Sequence, residues 1–279
     1  MALSDISLTA GMRSNLLQLQ QTSKSIDRTQ ERLSTGKQVN SALDNPTNFF
    51  ASQAALNRAA DFSSRKDGMG EAIQNVKAAD AGITAITALI SAAKGLAEAA
   101  LGTTVTSDRN TFATQYNTLR TQITQLSSDS GYRGTNLLAS SNNTLTVNFN
   151  EAATSKIVVT GFSATATGLS LDEVTTGSAT SALWAATSDI KASQVQMDSA
   201  NTQLRSQAKT LAGNLNIITT RQSFTDSMIS TLQTGSDNLT LADMNNEGAN
   251  MLMLQTRQSL GTTALSMSSQ AAQSVLRLF

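Results

Sequence analysis

The sequence predicts a mainly α chain: long antiparallel helices forming a coiled-coil rod, with a small β-hairpin region in the middle of the chain. Three observations carry this expectation. Apolar residues recur at seven-residue spacing near the N-terminus, a single Pro stands among 279 residues, and strict apolar/polar alternation occurs only in the middle of the chain.

The elements follow in order. From Ser4 to about Leu33 there is no Pro, and Met12, Leu19, Ile26 and Leu33 fall seven residues apart with Leu16 beside them. That spacing describes a coiled-coil seam rather than the broader apolar face of a globular helix. Ser34-Thr35-Gly36 breaks the pattern, and a polar loop runs to Asp44-Asn45-Pro46. Asp44 or Asn45 can cap the next helix, with Pro46 in its first turn, where a missing N–H costs nothing. This helix can run to about Leu101, roughly 80 Å at about 1.5 Å per residue. Ser107-Asp108 is the expected cap of a shorter helix carrying Phe112, Tyr116, Leu119, Ile123 and Leu126, which ends at Gly131-Tyr132-Arg133-Gly134. Leu145, Val147 and Phe149 then alternate with polar residues, as do Ile157, Val159 and, after a turn, Phe162. The polar run between them suggests a hairpin, the alternative being a Ser/Thr/Gly-rich loop. Helix resumes from Trp184 to about Gln233, and a last helix spans about Asn245 to Phe279.

The last helix is the most informative segment. One row at 3/4 spacing holds Met253, Leu260, Ala264, Met267, Ala271 and Leu278; another holds Gln255, Ser259, Thr262, Ser266, Gln270 and Gln273, all polar and uncharged. After Glu247 the only charges are Arg257 and Arg277, and before Lys24 only Asp5 and Arg13. Solvated helices normally carry many Lys and Glu residues. Ordering each residue costs on the order of 1 kcal/mol or more, and each seam residue returns only roughly 1.5–3 kcal/mol. Terminal helices of this kind need packing on more than one side, most simply by each other and by neighbouring copies. They read as assembly elements, with Met12, Leu16, Leu19, Ile26 and Leu33 and the Met253–Leu278 row as the candidate interface.

Composition removes other classes of function. With no Cys and no His, zinc sites, thiol chemistry and imidazole catalysis have no ligands or bases to use. Twenty Lys+Arg balance twenty Asp+Glu, so there is no basic field for nucleic acid. The start lacks a basic n-region followed by an apolar core, so no cleaved secretory signal is expected. Ile83 to Ala93 is interrupted by Thr84, Thr87 and Ser91 and is too short to span a bilayer. Asp67-Gly68-Met69-Gly70 offers a G-x-G, but no strand precedes it, and a helix irregularity or break is the plainer reading. Carboxylates are scattered singly. Neither a catalytic residue nor a cofactor site is expected.

The stretch Glu31-Arg32-Leu33-Ser34-Thr35-Gly36-Lys37-Gln38-Val39-Asn40-Ser41-Ala42-Leu43-Asp44-Asn45-Pro46 resembles the bacterial flagellin pattern E-R-L-S-[ST]-G-x-[RK]-[IV]-N-[SR]-A-x-D-[DN]-[AP]. Val76 to Ile83 is similar to that family's V-Q-T-A-E-G-A-L, and Thr135-Asn136-Leu137-Leu138 to its F-N-G-x-x-L-L. Asp243 to Glu247 followed by Leu254-Gln255-Thr256-Arg257 resembles D-x-D-x-A-x-E…L-x-x-x-Q, and Ala271 to Phe279 a shortened A-N-Q-x-P-Q-x-V-L-x-L-L. The likeness covers roughly residues 1–140 and 185–279, and Pro46 with the compact middle looks like the short flagellins of α-proteobacteria.

The resemblance implies a structural subunit that self-polymerises into the flagellar filament for swimming. Residues 1–45 would form an N-terminal inner-core helix and spoke loop, 46–139 the N-terminal outer-core helices, and 140–183 the small hairpin region. Residues 184–238 would form the C-terminal outer-core helix and 239–279 the C-terminal inner-core helix. Arg32, Gly36, Asn40, Asp44 and Pro46 would be the spoke motif, and Gln255, Ser259, Thr262, Ser266, Gln270 and Gln273 would line a central channel. Expected partners are other copies of the chain, an export chaperone and the flagellar type III export apparatus, and the filament cap and hook-junction proteins; nucleic acid and membrane insertion are not expected. The location would be the extracellular filament. Family members sensed by the vertebrate Toll-like receptor for flagellin carry Q-R-x-R-E-L-A, whereas this chain reads Ser91-Ala92-Ala93-Lys94-Gly95-Leu96-Ala97, which implies weak or absent sensing. The alternatives are a hook–filament junction protein, which the Glu31–Pro46 match disfavours, a non-flagellar coiled-coil scaffold or lipid-surface helix, and an enzyme. A metalloprotease insert would need H-E-x-x-H, and the chain has no His.

Overall fold

The computed structural model describes residues 10–175 and 184–276. Five helices and two strands follow one another: α1 (Ala10–Thr35), α2 (Pro46–Gly102), α3 (Thr106–Asp129), β1 (Thr144–Asn148), β2 (Lys156–Thr160), α4 (Thr187–Thr240) and α5 (Met244–Leu276). The chain divides into two compact units, one formed by Met1–Arg58 and Thr231–Phe279, the other by Ala59–Ser230.

In the Ala59–Ser230 unit, α2 and α4 run antiparallel, with Lys66 paired to Asp226 at 2.6 Å and Lys94 to Asp198 at 2.7 Å. Each aspartate raises the pKa of its lysine through hydrogen bond and charge. Helix α2 passes through Asp67–Gly70 without a break, so the expected irregularity is absent. Met69, Val76, Ile83, Ile86 and Ile90 recur along one face with Ala72, Ala79, Ala93, Ala97 and Ala100, and all are buried. The alanines let neighbouring helices approach closely. Gly82 does the same for the segment that follows α3: a Cβ there would lie 2.6 Å from Leu138 Cδ1.

Helix α3 begins at Thr106 with Val105 as its N-cap residue and no side-chain capping bond, which corrects the expected Ser107–Asp108 cap. Arg109 explains the difference. Its Nε donates to the carbonyls of Ala100 and Thr103, at 3.2 and 2.8 Å, and fixes the α2–α3 turn from within. The hairpin forms as expected, antiparallel, with Leu145 opposite Val159 and Val147 opposite Ile157. Val147 and Val159 are buried, as period-2 alternation requires. Phe149 lies under the Arg221 guanidinium, 5.3 Å from ring centroid to charge centre. The strand-free segment after β2 is held by side chains. Asn117 donates to Val174 O and accepts from Val174 N, while Arg120 donates to Leu171 O. Tyr116 and Trp184, the chain's one Trp, pack with ring centroids 5.2 Å apart in the middle of this core. Burial pushes the Tyr116 phenol up to about 12.

Candidate functional site

The sequence places its assembly signals on the two terminal helices and the segments that connect them, and these lie in the other unit. Helix α1 ends because Gly36 takes φ +70°, a conformation that costs L side chains more than glycine. Its N–H donates to Arg32 O at 2.8 Å. From there the α1–α2 connection pairs with the α4–α5 connection. Gln38 and Val39 both donate to Thr240 O, at 2.7 and 3.2 Å, and Ala242 donates to Gly36 O at 3.0 Å, so Lys37 and Leu241 face each other as an antiparallel bridge. Val39 is buried beneath this clasp.

The remainder of the connection is rigidly bonded although it is exposed. Asp44 accepts from the backbone N–H groups of Asn40 and Ser41 and from the Ser41 hydroxyl. These donors, the Ser41 N–H foremost, hold its carboxyl below the usual carboxylate range. Asn40 also donates from Nδ2 to Lys37 O. Asn45, rather than Asp44, caps α2, accepting from Asn48 N at 3.1 Å with Pro46 as the first helical residue. Asn48 Nδ2 reaches Leu239 O, and the buried hydroxyls of Ser52 and Ser236 meet at 2.8 Å, tying the start of α2 to the end of α4. Of the expected spoke motif, Arg32, Gly36, Asn40 and Asp44 thus each take part in hydrogen bonds, and Pro46 opens α2. Leu43 is the exception in this loop, 96% exposed on a well-braced turn.

Helices α1 and α5 pack antiparallel. Arg32 Nη1 meets Glu247 Oε1 at 3.0 Å, Glu247 being 8% exposed, and about four turns further out Leu19 lies against Gly261. A Cβ on Gly261 would come 2.7 Å from Leu19 Cδ2, so the glycine sets how closely the helices approach. Asp243 starts α5 by accepting from Asn245 N and Asn246 N. Of the α1 residues singled out in the sequence, Met12 is buried and Leu19, Ile26 and Leu33 are half-buried, while Leu16 stays exposed. Alternate layers of the seam are filled by Thr22 and Thr29, both buried, which an apolar pattern search passes over. Thr22 Oγ1 donates to Gln18 O, so its burial strands no polar group.

Helix α5 has three faces. The one turned to α1 carries Glu247, Met251, Leu254, Gly261, Leu265 and Ser268, all buried or half-buried, at alternating spacings of three and four residues or their sum. Sequence reading missed this face because a glycine, a serine and a glutamate interrupt it. The apolar row lies elsewhere: at 100° per residue, Met253, Leu260 and Met267 sit about 135° round the helix. They are 48%, 65% and 60% exposed, with Ala271 exposed and Ala264 half-buried at its edge. Leu278 lies outside the described residues. Gln255, Ser259, Thr262, Ser266, Gln270 and Gln273 form the third face, and all are exposed. The structure therefore brings Met12, Leu19, Ile26 and Leu33 to α5, but among the described residues nothing covers the Met253–Leu260–Met267 stripe, which stays largely exposed.

No group of three or more Asp or Glu side chains that could hold a metal ion exists among the described residues. One helix among them, α2, is long and apolar enough to cross a membrane by length and composition. Its Ile83, Ile86 and Ile90 belong to the buried core of the Ala59–Ser230 unit.

The comparisons with known proteins bear on this architecture. Residues 6–143 match the family model described as bacterial flagellin N-terminal helical region. Flagellin FljM of Caulobacter vibrioides is 30% identical over 281 residues, covering 100% of both chains. Flagellin FljK of the same organism is 29% identical over 283 residues, again covering 100% of both. A flagellin of Brucella melitensis is 29% identical over 270 residues, 94% of each chain. With its full length aligned to such relatives and its terminal helices paired around a braced double connection, the chain belongs to the bacterial flagellin family, the structural subunits of the flagellar filament.

Proposed function

We propose that this chain polymerises through the terminal helix pair, with the Met253–Leu260–Met267 stripe of α5 as the surface that neighbouring copies cover. The observation that supports it is the exposure of that stripe. Three large apolar residues at seven-residue spacing face solvent on a helix whose only described charges are Glu247 and Arg257. Seven-residue spacing is the repeat of a helix that packs against another helix. Covering Leu260 and Met267, each more than half exposed, would return about 1–2 kcal/mol apiece. Such a gain, repeated for every subunit, drives growth of a long polymer.

In this reading the uncharged face of Gln255, Ser259, Thr262, Ser266, Gln270 and Gln273 lines the filament channel, where the lack of fixed charge lets an unfolded chain slide past. The subunit leaves the cell through the type III apparatus with a chaperone on its C-terminal part, and works outside the cell capped by the filament cap and joined to the hook by junction proteins. The role is structural and not enzymatic.

The test is seeded polymerisation of the purified chain followed by electron microscopy. Leu260→Asn and a truncation of residues 260–279 should both abolish filaments while leaving the Trp184 fluorescence of the Ala59–Ser230 unit unchanged. Normal filaments from either would overturn the assignment of this face. Growth of the unaltered chain only on another protein's filament would point to a junction role.

A further inference from the structure

The same stripe carries two of the chain's methionines, and their distribution is uneven. The chain has nine methionines. Met12, Met69 and Met197 are buried, and Met228 and Met251 are half-buried. Among the described residues the exposed ones are Met244, Met253 and Met267, and all three lie on α5. Met244 is the helix's first residue, whereas Met253 and Met267 flank Leu260 on the stripe.

A thioether is apolar enough to pack in a helix interface, yet it is oxidised far more readily than a leucine. We propose that Met253 and Met267 are oxidation sites for small two-electron oxidants of the peroxide class, and that their sulfoxides switch off subunit addition. This inference rests on the stripe being the assembly surface. In the step itself, a lone pair on the methionine sulfur attacks one peroxide oxygen. The S–O bond forms as the O–O bond breaks, and the leaving hydroxide takes the proton of the sulfur-bound hydroxyl, which leaves the sulfoxide and one water. Sulfur loses two electrons and the peroxide gains them.

The sulfoxide oxygen is a strong hydrogen-bond acceptor. Solvent satisfies it on the free subunit, but covering the stripe removes that water: the stripe itself offers only Leu260, Ala264 and Ala271, and the nearest donors, Arg257 and Thr256 beside Met253 and Thr263 and Gln270 beside Met267, stand at its edges in water. Oxidation therefore leaves the folded subunit intact and penalises only the covered state. Three consequences separate this from general oxidative damage. The buried Met69 and Met197 stay unoxidised under mild treatment, Met253 and Met267 are protected once filaments have formed, and the change reverses when the sulfoxides are reduced.

The experiment treats the full-length subunit with dilute hydrogen peroxide, maps sulfoxides by peptide mass spectrometry, and measures seeded elongation relative to each protein's own untreated rate. At complete Met253 and Met267 oxidation the rate should fall at least tenfold, and methionine sulfoxide reductases of both stereospecificities should restore it. Met253→Leu/Met267→Leu should lose less than twofold on the same treatment, whereas Met244→Leu should stay as sensitive as the unaltered chain. Undiminished elongation of subunits shown to carry both sulfoxides would overturn the proposal, as would full sensitivity of the double variant or failure of the reductases to restore growth. Failure of the underlying reading has a separate signature: untreated Leu260→Asn subunits would then elongate normally, whatever peroxide does.

Discussion

Replacing Arg32 with Met tests the clamp between α1 and α5. The Arg32–Glu247 bond at 3.0 Å holds a carboxylate that is only 8% exposed. Removing one partner of a buried pair strands the other charge, at a typical cost of about 3–5 kcal/mol. Two features reduce that figure here. The Arg32 side chain is 25% exposed, so water already screens the pair. Glu247 also lies in the first turn of α5, where the helix terminus stabilises an anion by about 0.3–1 kcal/mol. About 2 kcal/mol should remain, equivalent to roughly a 30-fold increase in local opening. Hydrogen exchange of the full-length subunit reads this directly as faster exchange of amides in α1 and the first half of α5. Adding Glu247→Leu to the variant should recover most of the protection at neutral pH. Wild-type protection in Arg32→Met at pH 7 would refute the reasoning, as would failure of the added Glu247→Leu to restore it.

Other perturbations probe the Ala59–Ser230 unit. Gly82→Ala forces a Cβ to 2.6 Å from Leu138 Cδ1 and 2.7 Å from Ser130 Cβ. Overpacking of about 1–3 kcal/mol against a helix-propensity gain of about 1 kcal/mol leaves a net loss of up to about 2 kcal/mol, read from urea unfolding by Trp184 fluorescence. Tyr116, with its phenol pushed up to about 12, stays neutral in the fold while its unfolded counterpart ionises near 10. The unit should therefore keep its full stability below about pH 10 and lose about 3 kcal/mol as pH rises to 12; Tyr116→Phe should remove most of that slope. In cells reporting the vertebrate Toll-like receptor for flagellin, the chain should give little response. Lys94 is its one cation between Ser91 and Ala97, and it is engaged with Asp198. A response equal to that of a sensed flagellin would sink this prediction.

Much of the fold was legible because its signals are local. Pro46 after Asn45 marks where α2 begins, Gly36 marks where α1 ends, and the alternation of Leu145 and Val147 with polar residues gives the hairpin. The Met12–Leu19–Ile26–Leu33 repeat found the α1 face that meets α5, because its repeat matches that of a coiled-coil partner. The site on α5 was only half legible. Apolar patterning identifies the side that some partner must cover, and there the most apolar row is the one the chain itself leaves open. The inward face works through a glycine, a serine and a paired glutamate, whose burial depends on Leu19 and Arg32 more than two hundred residues away. The double connection was invisible for a related reason: backbone bonds from Gln38 and Val39 to Thr240 depend on no side-chain pattern at all. The α3 start was misplaced because Arg109 holds the turn from inside the helix, which cap statistics do not register.

The clasp between the two connections has a mechanical consequence. A helix pair attached by one free strand can swivel about it, since rotation around single backbone bonds is nearly unopposed. Here the chain enters α2 and leaves α4 through segments bonded to each other at Gln38, Val39, Thr240 and Ala242, so α1 and α5 are attached by a doubled tether. Twisting such a tether must break or shear hydrogen bonds. If copies join through the terminal helices as proposed, torsion arriving there would load this short ladder of hydrogen bonds.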